Sequence, residues 1–172
     1  MSKNLNLSSV CEEKVYESLY MEHVESLRNF LYYKCGNIGQ AEDFAQEAFI
    51  RMWKNCAKVP FAKAKGFLYT VANNLFLNEV KHQKVVLKFQ QRAHVTSSNQ
   101  TPEFLLEEKE FHQRLEAAIS NLPENQRIVF LMSKIEKKTY KEIAETLGLS
   151  VKAIEKRMSK ALIEIRKLTR KI

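Results

Sequence analysis

The stretch TYKEIAETLGLSVKAIEKRMSKALIEIRKLTRK, from Thr139 to Lys171, decides the fold class. Thr139 followed by Glu142 is a capping box: the hydroxyl accepts one free backbone N–H of a new helix, and the carboxylate accepts another. Ile143, Ala144 and Leu147 repeat at helical spacing behind it. Gly148 can adopt the left-handed conformation that ends a helix, and Leu149 packs the turn. Ser150 suits the N-cap of a second helix, whose apolar side is Ile154, Met158, Ala161, Ile165 and Leu168. Two helices joined by a tight turn, with small Ala144 at the crossing, form a helix-turn-helix whose second helix can enter a DNA major groove.

Charge supports a polyanionic partner. Residues 150–172 carry eight Lys or Arg against Glu155 and Glu164, a net of plus six. Such a helix face binds DNA independently of sequence by releasing counterions. The ordinary alternative is a solvated amphipathic helix, but capping box, turn glycine and apolar spacing agree on the DNA-binding unit. Over all 172 residues the net charge is +8.

Four glycines and three prolines among long runs of Glu, Lys, Leu, Ala and Gln predict an all-α chain. No apolar run approaches membrane-spanning length and the first residues lack a signal-peptide core, so a cytoplasmic protein without direct membrane insertion is expected. Cys11, Cys35 and Cys56 are odd in number and widely spaced, which argues against a disulfide framework or a zinc knuckle. The four histidines show no metal-ligand spacing. No metal, cofactor or catalytic residue is expected, since phosphate-binding glycine loops, HExxH and nucleophile elbows are lacking.

Residues 93–102, AHVTSSNQTP, contain no charged side chain and read as a flexible linker. It divides an N-terminal helical bundle, residues 1–92, from a helix-turn-helix domain, residues 103–172. In the first, helices are predicted from Glu12 to Cys35, Ala41 to Asn55 and Gly66 to about Arg92, with a turn at Gly36–Gly39. The second has an apolar side of Phe44, Ala45, Ala48, Phe49, Met52 and Trp53. Its other side, Glu42, Asp43, Gln46, Glu47 and Arg51, fits a solvated face and a protein contact equally well. A loop interrupted by Pro60 precedes the third helix, where aromatics are interleaved with Lys63, Lys65, Asn73, Asn74, Asn78, Lys81, Lys84 and Lys88. Stacking faces, amides and ammonium groups together suit a single-stranded or flipped base. Most of the aromatics read as core, and Phe61 and the asparagines as the functional candidates.

Three runs in this order resemble one family. Ala41-Glu-Asp-Phe-Ala-Gln-Glu-Ala-Phe-Ile-Arg-Met-Trp53 resembles the polymerase-docking segment of bacterial sigma factors. Gly66-Phe-Leu-Tyr-Thr-Val-Ala-Asn-Asn-Leu75 resembles their promoter-melting segment, and Asn121-Leu-Pro-Glu-Asn-Gln-Arg-Ile-Val-Phe-Leu131 with the helix-turn-helix resembles their C-terminal domain. Order and length match the extracytoplasmic-function (ECF) group, over roughly residues 14–170.

The resemblance implies two small helical domains and a set of roles. Glu42, Asp43, Gln46, Glu47 and Arg51 would meet the clamp helices of RNA polymerase core, and the C-terminal domain its flap. The loop Val59–Lys65, with Phe61, Lys63 and Lys65, would capture a flipped minus-ten base helped by Asn74 and Asn78. Lys81, Lys84 and Lys88 would lie along the melted strand. Lys152, Glu155, Lys156 and Ser159 would read the minus-thirty-five element, while Thr139, Arg157 and Lys160 hold phosphates. The implied partners are core polymerase, promoter DNA and an anti-sigma factor. The loop departs from the family in carrying Val59-Pro60-Phe61-Ala62. The rival reading is a stand-alone helix-turn-helix regulator, normally a symmetric dimer on a palindrome.

Overall fold

A computed structural model describes residues 9–79, 87 and 102–169, and among these every regular element is helical. The α-helices are α1 (Glu13–Cys35), α2 (Ile38–Lys54), α3 (Ala64–Glu79), α4 (Pro102–Asn121), α5 (Glu124–Lys134), α6 (Tyr140–Leu147) and α7 (Val151–Thr169). Two single 3-10 turns, Cys56–Lys58 and Phe61–Lys63, lie between α2 and α3.

A short turn folds α2 back along α1. Gly36 takes a left-handed φ of 70°, and its N–H donates to the Tyr32 carbonyl at 2.8 Å. Asn37 then caps α2 by accepting from the Gln40 N–H at 3.0 Å. That cap starts α2 at Ile38, ahead of the predicted Ala41, and takes Gly39 into the helix. Tyr16 near the start of α1 donates to the Phe49 carbonyl of α2 at 2.9 Å, which fixes the antiparallel pairing.

Leu19, Leu27, Phe30 and Leu31 of α1 are buried with Phe44, Ala45, Ala48, Phe49 and Met52 of α2 and Leu68, Tyr69, Ala72 and Phe76 of α3. Trp53, assigned to the apolar side of α2, is 44 % exposed and makes an edge contact with the Tyr16 ring. It lies at the end of α2, where α1 has nearly run out and no longer covers it.

The expectation for the cysteines is overturned. Cys11 and Cys56 are joined as a disulfide, while Cys35 is free and buried. Spacing along the chain hid the pair because the α1–α2 reversal brings the start of one helix beside the end of the other. Their Cα atoms are 5.0 Å apart although 45 positions separate them.

The two halves pack together. Their apolar residues form one cluster, with α5 against α1 and α6 against α3. Arg127 of α5 is 4 % exposed and acts as a clamp. Its guanidinium donates to the carbonyls of Tyr33 (2.8 Å) and Lys34 (3.4 Å) in α1, and to Ser120 (3.1 Å) and Leu122 (2.9 Å). It thereby satisfies carbonyls that the end of α1 leaves without helical partners. Burial lowers its pKa, opposed by nearby Glu124.

Lys34 is the second bolt. Its ammonium is buried, donates to Glu124 at 2.6 Å and to Asn73 at 2.8 Å, and lies 4.8 Å from the Phe76 ring centroid. A third contact joins Ser26 and Tyr69 to Glu136 and Lys138 of the turn between α5 and α6. Burial pushes the Tyr69 phenol up to about 12, so it stays a neutral hydrogen-bonding group.

Candidate nucleic-acid interface and partner surfaces

The helix-turn-helix forms as its caps dictate. Glu142 N–H donates to Thr139 Oγ1 at 3.3 Å, and Thr139 N–H returns a bond to the Glu142 carboxylate at 2.7 Å. The Thr139 hydroxyl also donates to that carboxylate, and these bonds hold the Glu142 pKa below its ordinary value. Gly148 is left-handed at φ 64°, and Leu149 N–H closes the turn onto the Ala144 carbonyl at 2.9 Å. Ser150 caps α7 through the Ala153 N–H at 3.2 Å.

These caps aim α7. Ile154, Met158, Ala161 and Ile165 are buried, leaving Lys152, Glu155, Lys156, Ser159 and Lys160 exposed on the outward side. Five of the predicted DNA contacts therefore share one open surface. Arg157 is set apart: it is half-buried and lines a cleft between the two halves. Thr139 is exposed, but its hydroxyl and amide are already engaged by Glu142.

On the opposite half, α2 presents Glu42, Asp43, Gln46 and Arg51 to solvent, with Glu47 half-buried. Arg51 pairs with Glu47 at 2.7 Å and Arg28 with Glu42 at 3.9 Å. At this exposure such pairs contribute little and yield readily to a partner.

The face formed by α3 and the preceding loop differs. Phe61 is 46 % exposed, and Lys63, Asn74 and Asn78 are also exposed. Lys65 is half-buried. The loop forms one wall of a cleft of about 760 Å³, lined by Lys58, Pro60, Lys63 and Phe67, while Glu145 and Thr146 of α6 form the other. The C-terminal half thus faces Lys63 and Lys65 of the predicted base-capturing loop across the cleft, while Phe61 is not among the residues that line it. Lys81, Lys84 and Lys88 lie outside the described residues.

Several working residues escaped the sequence reading: Lys34, Glu124, Arg127, Ser26, Tyr69, Glu136 and Lys138, which latch the halves, and the Cys11–Cys56 pair. For Lys34 a signal existed, because it continues the buried stripe of Leu27, Phe30 and Leu31 at helical spacing. Among the described residues no cluster of His, Cys, Asp or Glu is placed to hold a metal ion, and no helix is long and apolar enough to cross a membrane.

Comparison with known proteins agrees with this layout. The family described as Sigma-70 region 2 matches residues 19–85, and that described as Sigma-70, region 4 matches residues 112–165. The ECF RNA polymerase sigma factor SigE of Mycolicibacterium smegmatis is 25 % identical over 154 residues, which span 88 % of this chain and 60 % of that protein. The RNA polymerase sigma factor YlaC of Bacillus subtilis is 25 % identical over 156 residues, covering 88 % and 90 %. Among solved structures, the sigma factor RpoE of Bartonella quintana, crystallised with the anti-sigma factor NepR, superposes with a TM-score of 0.62 at 18 % identity, covering 91 % of this chain and 98 % of that one. At that identity the superposition speaks for the fold.

Proposed function

We propose that this chain, which belongs to the sigma-70 family and there to the ECF group of RNA polymerase sigma factors, binds core polymerase, opens promoter DNA with it, and starts transcription from two DNA elements. One observation carries the reading: regions 2 and 4 occur in order in one chain, each with its own outward polar surface. In this reading the bundle of residues 1–92 is the polymerase-binding and melting domain, 93–102 the linker, and 103–172 the duplex-reading domain.

Glu42, Asp43, Gln46, Glu47 and Arg51 dock on the polymerase clamp helices, and the exposure of all but Glu47 supports this role. Phe61 stacks on an extruded minus-ten base, Asn74 and Asn78 bond its edge, and Lys63, Lys65, Lys81, Lys84 and Lys88 neutralise the neighbouring phosphates. On duplex DNA, Lys152 and Lys156 donate to guanine, Glu155 accepts from a cytosine amino group, and Ser159 completes the base contacts. Arg157, Lys160 and the Thr139 end of α6 hold phosphates. The chain performs no covalent chemistry of its own; it supplies binding energy that offsets base flipping, which costs a few kcal/mol. It works in the cytoplasm, and an anti-sigma factor that covers its polymerase-binding surface is its regulator.

The packed halves add a step. With α6 standing beside the loop, promoter opening requires the latches at Lys34, Arg127 and Ser26 to release, and polymerase binding supplies the free energy for it. Run-off transcription with purified bacterial core polymerase and a pool of promoter fragments tests the proposal. Discrete start sites that depend on this protein are expected. Specific binding to a palindromic duplex without polymerase, and no transcripts with it, would instead identify a stand-alone regulator.

A further inference from the structure

The disulfide joins two segments with different roles. Cys11 lies in a turn ahead of α1, ordered by the Glu12 N–H bond to the Ser9 carbonyl (3.0 Å) and anchored by Val10, which is 1 % exposed. Cys56 begins the 3-10 turn Cys56–Lys58, from which the chain runs directly into Val59–Lys65. The bond therefore ties the root of that loop to the first turn of the domain. Cys11 is exposed, so a small oxidant can reach the pair. Disulfides that form in a reducing compartment are usually transient or sensing ones.

We propose that Cys11 and Cys56 form a reversible redox site, closed by hydrogen peroxide and reopened by thiols, whose closed state holds the loop after α2 in its base-capturing arrangement. The consequence for promoter opening rests on the function proposed above. Lys54 and Lys58 flank Cys56 in the sequence, whereas Glu12 and Glu13 follow Cys11. In this scheme Cys56, flanked by these basic residues in the sequence, supplies the attacking sulfur. Its thiolate attacks one peroxide oxygen, giving a sulfenic acid and hydroxide; the Cys11 thiol then attacks Cys56 Sγ and releases the second oxygen as water. In balance, two thiols are oxidised to one disulfide while the peroxide is reduced to two waters. Thiol–disulfide exchange with glutathione reverses the change. Cys35 takes no part: it is 5 % exposed, its Sγ donates to the Asn37 carbonyl, and burial raises its pKa.

The full-length protein, fully reduced and then treated with hydrogen peroxide, provides the test. Alkylation in denaturant followed by mass spectrometry should find all three thiols labelled before treatment and only Cys35 after it, with the Cys11 and Cys56 peptides linked. Trypsin should cut after Lys58 and Lys63 on the order of tenfold more slowly in the oxidised form, because cleavage follows the population of the opened loop. C11S and C56S should each abolish that difference, and C35S should keep it. Run-off transcription should be higher for the oxidised protein and indifferent to peroxide in C11S. Peroxide that leaves all thiols free, oxidises them without linkage, or leaves loop cleavage unchanged overturns the site. A linked, protease-resistant loop with no transcription in either state would instead fell the sigma reading and leave the redox site standing.

Discussion

The outer face of α2 and the face of α3 belong to one bundle and share one core, yet they meet their surroundings differently. Glu42, Asp43, Gln46 and Arg51 on α2 face open solvent. Part of the α3 face looks into a cleft whose far wall is α6, and the Lys34 ammonium bridges Asn73 of α3 and Glu124 of α5. One surface is wholly open, and the other is enclosed in part, with Phe61, Lys63, Asn74 and Asn78 still exposed. Under the proposed function, the α2 face can engage polymerase while the C-terminal half still packs against α3.

That comparison can be broken most severely at Arg127. Arg127→Met removes four hydrogen bonds, three of them buried. A loss of about 3 kcal/mol in urea unfolding is expected, because buried carbonyls left unpaired cost more than the bonds contribute. Glu124→Gln acts more gently, leaving the Lys34 ammonium an amide partner. With Glu124 itself 39 % exposed, about 1–2 kcal/mol of the closed arrangement is lost. Small-angle scattering should show a larger radius of gyration for this variant, and unchanged compactness would mean that the latch lies elsewhere. Replacing both charges, K34M with E124L, should hold the halves together within about 1 kcal/mol of wild type.

His23 makes the stability of the packed chain sensitive to pH. It is 9 % exposed, and its pKa is lowered first by burial and further by Lys65 and Lys138, with Glu22 opposing. Above the ordinary value of 6.5 the imidazole is neutral in both folded and unfolded chains. As pH falls below it, the unfolded chain takes up a proton that the folded one resists, so stability declines. Denaturant titrations at stepped pH should show this slope, and His23→Gln should flatten it.

The smallest effect on stability is expected on the open face. Asp43→Ala with Gln46→Ala should change unfolding by less than about 0.5 kcal/mol, since both side chains are exposed. Transcription by the same variant should fall on the order of tenfold, as loss of a contact worth about 1.4 kcal/mol requires. Unaltered transcription would return that face to the status of an ordinary solvated surface.

Local chemistry was legible in the chain, and long-range pairing was not. The Thr139–Glu142 box, Gly148 and Ser150 each act within a few residues, so the helix-turn-helix could be read with its caps in place. The outward row Lys152, Glu155, Lys156 and Ser159 followed from the apolar row opposite. Arg127 reaches carbonyls 93 and 94 positions away, and Cys11 finds Cys56 only after two helices have folded back. No periodicity encodes such meetings. Trp53 failed for a related reason: its spacing put it on the apolar side, but burial there depended on how far α1 extends.

The Arg127 clamp also bears on the order in which the protein is made. The last carbonyls of α1 receive their guanidinium donor from a residue 94 positions later. At bacterial rates of translation, about 5–20 residues per second, that is a wait of roughly 5–20 s. Throughout this interval the nascent bundle carries an unfinished helix end, and water must serve in place of the arginine. A ribosome stalled before Arg127 would therefore display the α3 face without α6 packed against it.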